Sequence, residues 1–174
     1  MIKFSRLIAA TLFVALGGCA SSSTLPTARD WRIAILVENP PLPTVRVSLP
    51  PGFAVTSGHG IDSAVAQVSG PGLTINADYG RTGPQFCGNM SGCRQSSAIV
   101  DGRPAAWVRY TKKGVMGSQT HSHRLDFGVK LWPSQDPRLG PPQGLLLVAA
   151  CKTTSDCDLA QEIARSVKFD QPPR

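Results

Sequence analysis

"GLLLVAACKTTSDCDLAQEIARSVKF" runs from Gly144 to Phe169, and its apolar period changes part-way. Residues 144–151 form a continuous apolar run, which reads as a strand covered on both faces and hence central in a sheet. From Cys157 the apolar residues recur at helical spacing instead: Leu159, Ala160, Ile163, Ala164 and Val167 make one face. Ser155, with Asp158 three residues later, has the form of a capping box. Asp156 and Asp158 fall at the positive end of the helix dipole, and Arg165 and Lys168 near the negative end. A helix with one apolar face has to cover something apolar, so this one is predicted to lie on the sheet.

Working back along the chain, short strands alternate with turns. "LDFGVKLW" continues an alternation begun at Arg124: Leu125, Phe127, Val129 and Leu131 against Arg124, Asp126, Gly128, Lys130 and Trp132. "SAIV" and "AAWVRYT" flank the turn "DGRP", and "AVAQV" and "LTINADY" flank "SGPG". In the second of these hairpins, Leu73, Ile75, Ala77 and Tyr79 face one way and Thr74, Asn76 and Asp78 the other. "VRVSL" alternates Val45, Val47 and Leu49 with Arg46 and Ser48 and stops at Pro50-Pro51-Gly52, and "WRIAILV" is apolar enough for one more strand. The dense punctuation, Gly 17 and Pro 15 in 174 residues, favours short strands over long helices. The expected fold is α+β: a mostly antiparallel sheet with a C-terminal helix packed on one face, formed by a single domain over residues 31–174.

The N-terminus is of another kind. Lys3 and Arg6 form a positive start, residues 7–16 an apolar stretch of signal-peptide length, and small residues lead to Cys19. That stretch is about half what a membrane span needs. The tetrapeptide Leu16-Gly17-Gly18-Cys19 resembles the lipobox of bacterial lipoproteins. The resemblance implies that residues 1–18 are a cleaved signal peptide and that Cys19 carries the lipid, a palmitate-type anchor in the membrane. Ala20 after the cysteine implies, for a Gram-negative source, the outer membrane with the domain facing the periplasm. Residues 19–30 follow as the lipidated Cys and a polar, flexible tether.

Cysteine arithmetic agrees. Of five cysteines, setting Cys19 aside leaves an even number, Cys87, Cys93, Cys151 and Cys157, in a compartment where disulfides persist. Four cysteines allow three connectivities. The local pairs Cys87–Cys93 and Cys151–Cys157 are expected, because each closes a short turn-like loop, "CGNMSGC" and "CKTTSDC". The second would staple the helix start to the preceding strand. Zinc-binding cysteines usually stand two to four residues apart, whereas each pair here has five residues between its cysteines. A Cys-x-x-Cys redox motif is absent.

The order of short strand, Pro-Gly turn, meander, apolar strand and final helix ending in "SVKF" resembles PsbP-like domains over residues 45–169. That resemblance implies an accessory or assembly role in place of catalysis. The sequence agrees in holding no Gly-x-Ser-x-Gly, no His-Glu-x-x-His, no P-loop and no dinucleotide fingerprint, and no cofactor is expected. Net charge is +7, or +5 without Lys3 and Arg6, and it is spread along the chain, which argues against a nucleic-acid partner.

Two constellations remain. In "THSH", His121 and His123 share one face if they sit in a strand, as two metal ligands would, and this is the alternative, metal-binding or catalytic reading. His59, between glycines, reads as a turn residue. The hairpin of residues 105–111 and 124–132 is expected to present Trp107, Arg109, Arg124, Lys130 and Trp132 on its polar face, with Asp126 beside them. Trp and Arg are favoured interface anchors, so this patch is the expected binding surface for an envelope protein or polymer.

Overall fold

A computed structural model describes residues 30–40, 42–61, 63–80, 87, 93–116, 119–131 and 144–170. Cys19, most of the tether and Trp132 therefore lie outside the described residues. The fold is α+β as expected, with all strand pairs antiparallel, but the strands divide into two sheets.

Among the described residues the large sheet has seven strands. They are β3 (Ala54–His59), β4 (Ser63–Gly70), β5 (Leu73–Gly80), β6 (Arg94–Val100), β7 (Arg103–Met116), β8 (Gln119–Lys130) and β9 (Gly144–Cys151), in the order β3-β4-β5-β9-β8-β7-β6. The apolar run 144–151 is indeed the middle strand. The small sheet holds β1 (Arg32–Val37), β2 (Val45–Leu49) and β10 (Lys168–Phe169), in the order β1-β2-β10. The helix α1 spans Thr154–Arg165.

One face of the large sheet carries the core. Leu73, Ile75, Ala77 and Tyr79 on β5 meet Leu145, Leu147 and Ala149 on β9 and Leu125, Phe127 and Val129 on β8, all buried. Over them lie Cys157, Ala160, Ile163 and Ala164 of α1, and Val45, Val47 and Leu49 of β2. Burying a side chain such as Ile163 contributes about 1.5–3 kcal/mol, which fixes where the helix must dock.

The turns obey local chemistry. Asp101-Gly102 joins β6 to β7 with both residues at positive φ, 50° and 73°, the twist a two-residue hairpin needs. Pro71-Gly72 joins β4 to β5, with Gly72 at φ 71°. A Cβ on Gly72 would stand 2.8 Å from the Asp156 carboxylate, so this turn must be bare to lie against the helix start. The Gly72 carbonyl also accepts from the Lys152 amide.

Three local expectations are corrected. The capping box uses Thr153 and Asp156, not Ser155 and Asp158. Thr153 is extended at φ −127°, its Oγ1 accepts from the Asp156 amide, and the Asp156 carboxylate accepts from the Thr153 amide at 2.8 Å. The helix thus starts two residues earlier than read, and Cys157, near its start, is disulfide-bonded to Cys151 at a Cα–Cα distance of 5.3 Å. Cys87 is bonded to Cys93, at 5.6 Å. His59 closes strand β3, paired with Ala64, and does not form the turn. "SVKF" leaves the helix at Ser166, whose hydroxyl donates to the Ile163 carbonyl and accepts from the Ser48 amide, and Lys168–Phe169 then pair with β2. The Asp101 carboxylate accepts from the Phe169 amide at 2.9 Å, and this bond, with Lys168 and Arg103 nearby, lowers its pKa.

Candidate functional site

The other face of the large sheet carries no helix among the described residues. Its side chains are the alternate set: Val65 and Gln67 on β4, Asn76 and Asp78 on β5, Leu146 and Val148 on β9, Arg124 and Asp126 on β8. Two cross-strand rows run side by side, Thr56–Gln67–Asn76–Val148–Asp126 and Gly58–Val65–Asp78–Leu146–Gly128. Between them the face is hollowed by about 640 Å³. The floor is apolar, from Val65, Leu146 and Val148, and the rim is polar, from Thr56, Gln67, Asn76, Asp78 and Arg124. Gln67 Nε2 donates to Asn76 Oδ1 at 2.9 Å, so these two amides are held in place across the strands.

The β8 end of the hollow is bounded by a buried polar cluster. Asp126 is only 2% exposed, and its carboxylate accepts from Arg124 Nε at 2.8 Å and from the Tyr110 hydroxyl at 3.2 Å. Arg124 also lies 5.7 Å from the Tyr110 ring centroid. A carboxylate this buried needs such partners to offset its lost hydration. Burial, with Asp126 beside it, pushes the Tyr110 hydroxyl up to about 12, so it remains a donor.

The expected Trp/Arg patch is split between the two faces. Trp107 pairs in register with Phe127 and so shares the core face. It is 4% exposed, its ring 4.2 Å from that of Phe127 and 5.9 Å from the Arg165 guanidinium. Arg109, on the same face, donates to Asp158 at 2.8 Å and to Gln161 at 3.2 Å, both on α1. Arg124 and Lys130 point to the opposite face, Arg124 at the hollow and Lys130 exposed at the far end of β8. Of the patch residues described, only Arg124 lines the hollow.

His121 and His123 do share a face, within β8. His121 is buried against Gly114, and its Nδ1 has no hydrogen-bond partner. Burial, then the charges of Arg124 and Lys112, holds its imidazole below the usual range. Among the described residues no group of three or more His, Cys, Asp or Glu side chains is placed to hold a metal ion.

The floor and the amide rim escaped the sequence reading. The alternation of Thr74, Asn76 and Asp78 was legible, but nothing in it says that β5 abuts β9. The central run 144–151 was expected to be covered on both faces; instead Leu146 and Val148 are half-buried and form the floor. The chain matches no protein-family model, no curated protein and no solved structure.

Proposed function

We propose that this chain is a lipid-anchored module of a bacterial cell envelope that binds a ligand on the helix-free face of its large sheet. The observation that carries the reading is the hollow: an apolar floor of Val65, Leu146 and Val148 ringed by the Gln67 and Asn76 amides, Asp78 and Arg124, the last held by the buried Asp126. Apolar surface with a few oriented polar groups is what ligand sites share. The chemistry suits an amphipathic segment of an envelope polymer or protein, with the apolar part on the floor and hydrogen-bonding groups at Gln67 and Asn76. The anchoring half of the reading comes from Leu16-Gly17-Gly18-Cys19 and the odd cysteine. No helix among the described residues is long and apolar enough to cross a membrane.

Two variants test the two halves. Cys19→Ser is expected to lose fatty-acid labelling and leader cleavage; normal maturation would end the anchoring reading. Val148→Arg fills the floor from a half-buried position and is expected to keep the fold while losing material captured by the wild-type protein from its own membranes. Equal capture by the folded variant would remove the hollow from consideration.

A further inference from the structure

We propose that the outer face of the small sheet, led by Ile33 and Ile35, rests on the lipid surface that the Cys19 acyl chain enters, so that the hollow faces away from the bilayer. The inference rests on the anchoring reading above and adds to it an orientation and a contact surface.

Ile33 is 71% exposed and Ile35 48%, next-but-one neighbours on the edge strand β1. They share the outer face of the small sheet. In the register, Ile33 lies opposite Ser48 and Ile35 opposite Arg46, and Arg46 lies opposite Lys168 on β10. The inner-face residues Val45, Val47 and Leu49 are buried in the core. The outer face therefore presents an apolar edge followed by two cationic side chains. Arg46 is paired with Asp170 and Lys168 with Asp101, yet their side chains are 48% and 66% exposed. Long cationic side chains of this kind reach headgroup phosphates while apolar neighbours enter the acyl boundary.

The length of chain between this face and Cys19 lets both meet one lipid surface. Ile33 comes fourteen residues after Cys19, and the eleven tether residues 20–30 reach about 36–40 Å at most. The two isoleucines are thus the first exposed large apolar side chains the described chain offers beyond the anchor. A contact of the folded domain with the membrane close to the anchor adds orientation and further retention. The hollow lies on the face of the large sheet opposite the one the small sheet covers, and the recess beside Ile35 adjoins it at Ser57 and Gly58 on β3, so seating the small sheet leaves the hollow beyond that edge accessible from the aqueous side.

The test uses the full chain, produced in a lipid-attaching bacterial host and reconstituted in vesicles of phosphatidylethanolamine and phosphatidylglycerol. A benzophenone amino acid replaces Ile35 in one variant. In the control it replaces Ile99, equally exposed at 71% but on β6, on the reverse face of the large sheet. Ultraviolet irradiation is expected to give phospholipid adducts at position 35 in at least tenfold excess over position 99. Intact mass in the same samples reads the acyl groups on Cys19. An acylated protein with equal adduct yields at the two positions overturns the seating and leaves the anchor standing. A protein without acyl groups overturns the anchor, and the seating with it.

Discussion

Replacing Trp107 with Ala separates a core tryptophan from an interface anchor. The indole is 4% exposed, packed on Phe127 at 4.2 Å and roofed by Arg165 of α1. An aromatic side chain of this size buries roughly 150–250 Å², worth about 4–6 kcal/mol at 25 cal/mol per Å². Large-to-small substitutions at such sites typically cost about 3–5 kcal/mol once partial collapse of the cavity is allowed for. For a domain near 150 residues that lowers Tm by about 10–15 °C. The assay is thermal unfolding of the disulfide-intact protein followed by near-ultraviolet circular dichroism. Phe127→Ala and the double variant complete a cycle, in which the ring pair should show a coupling of about 0.5–1.5 kcal/mol. Ligand capture per folded molecule should be unchanged, because Trp107 lies on the face opposite the hollow. A Trp107→Ala protein that melts within about 2 °C of the wild type would refute the placement of this side chain in the core.

Three further outcomes follow from named contacts. Gly72→Ala forces a methyl group against the Asp156 carboxylate at a left-handed residue; strain plus a disturbed helix cap should cost about 2 kcal/mol in denaturant unfolding, and an unchanged midpoint would contradict the close approach. Replacing both Cys151 and Cys157 by Ala opens a loop with sequence separation 6, expected to cost about 2 kcal/mol from chain entropy, with the strand-to-helix junction losing amide-exchange protection first. Burial raises the pKa of Tyr79, whose hydroxyl donates to the Pro43 carbonyl, and moves Tyr110 from 10.0 to about 12. The folded state therefore keeps protons that the unfolded state gives up; this stability is complete below pH 10 and declines as pH rises through the raised values. Tyr110→Phe should reduce the alkaline slope measured in urea titrations, and an identical slope would show that Tyr110 does not contribute.

The sequence by itself determined the elements whose signals are local. The helical spacing from Leu159 to Val167, the alternation in "VRVSL" and "LTINADY", and the turns at Gly72 and Gly102 each depend on residues within a few positions of one another. The two disulfides were legible for the same reason: each closes a loop of a few residues. The helix cap was missed by two residues because both Thr153–Asp156 and Ser155–Asp158 satisfy the same spacing; in the fold the cap is Thr153–Asp156, with Asp156 lying against the Gly72 turn. β10 was missed because a two-residue strand has no period to read.

The site was decided at longer range. Alternation assigns residues to two sides of a strand but not to core or solvent, and β7 buries Trp107 on one side and Val108 and Tyr110 on the other. Which side took the helix followed from the register Trp107 opposite Phe127, set by pairing across the whole hairpin. The hollow needed still more: β4, β5, β9 and β8, drawn from residues 63 to 151, had to lie side by side before Gln67, Asn76, Val148 and Arg124 could meet. Strand order depends on which apolar faces bury one another most completely, a property of the assembled core that no window of the chain contains.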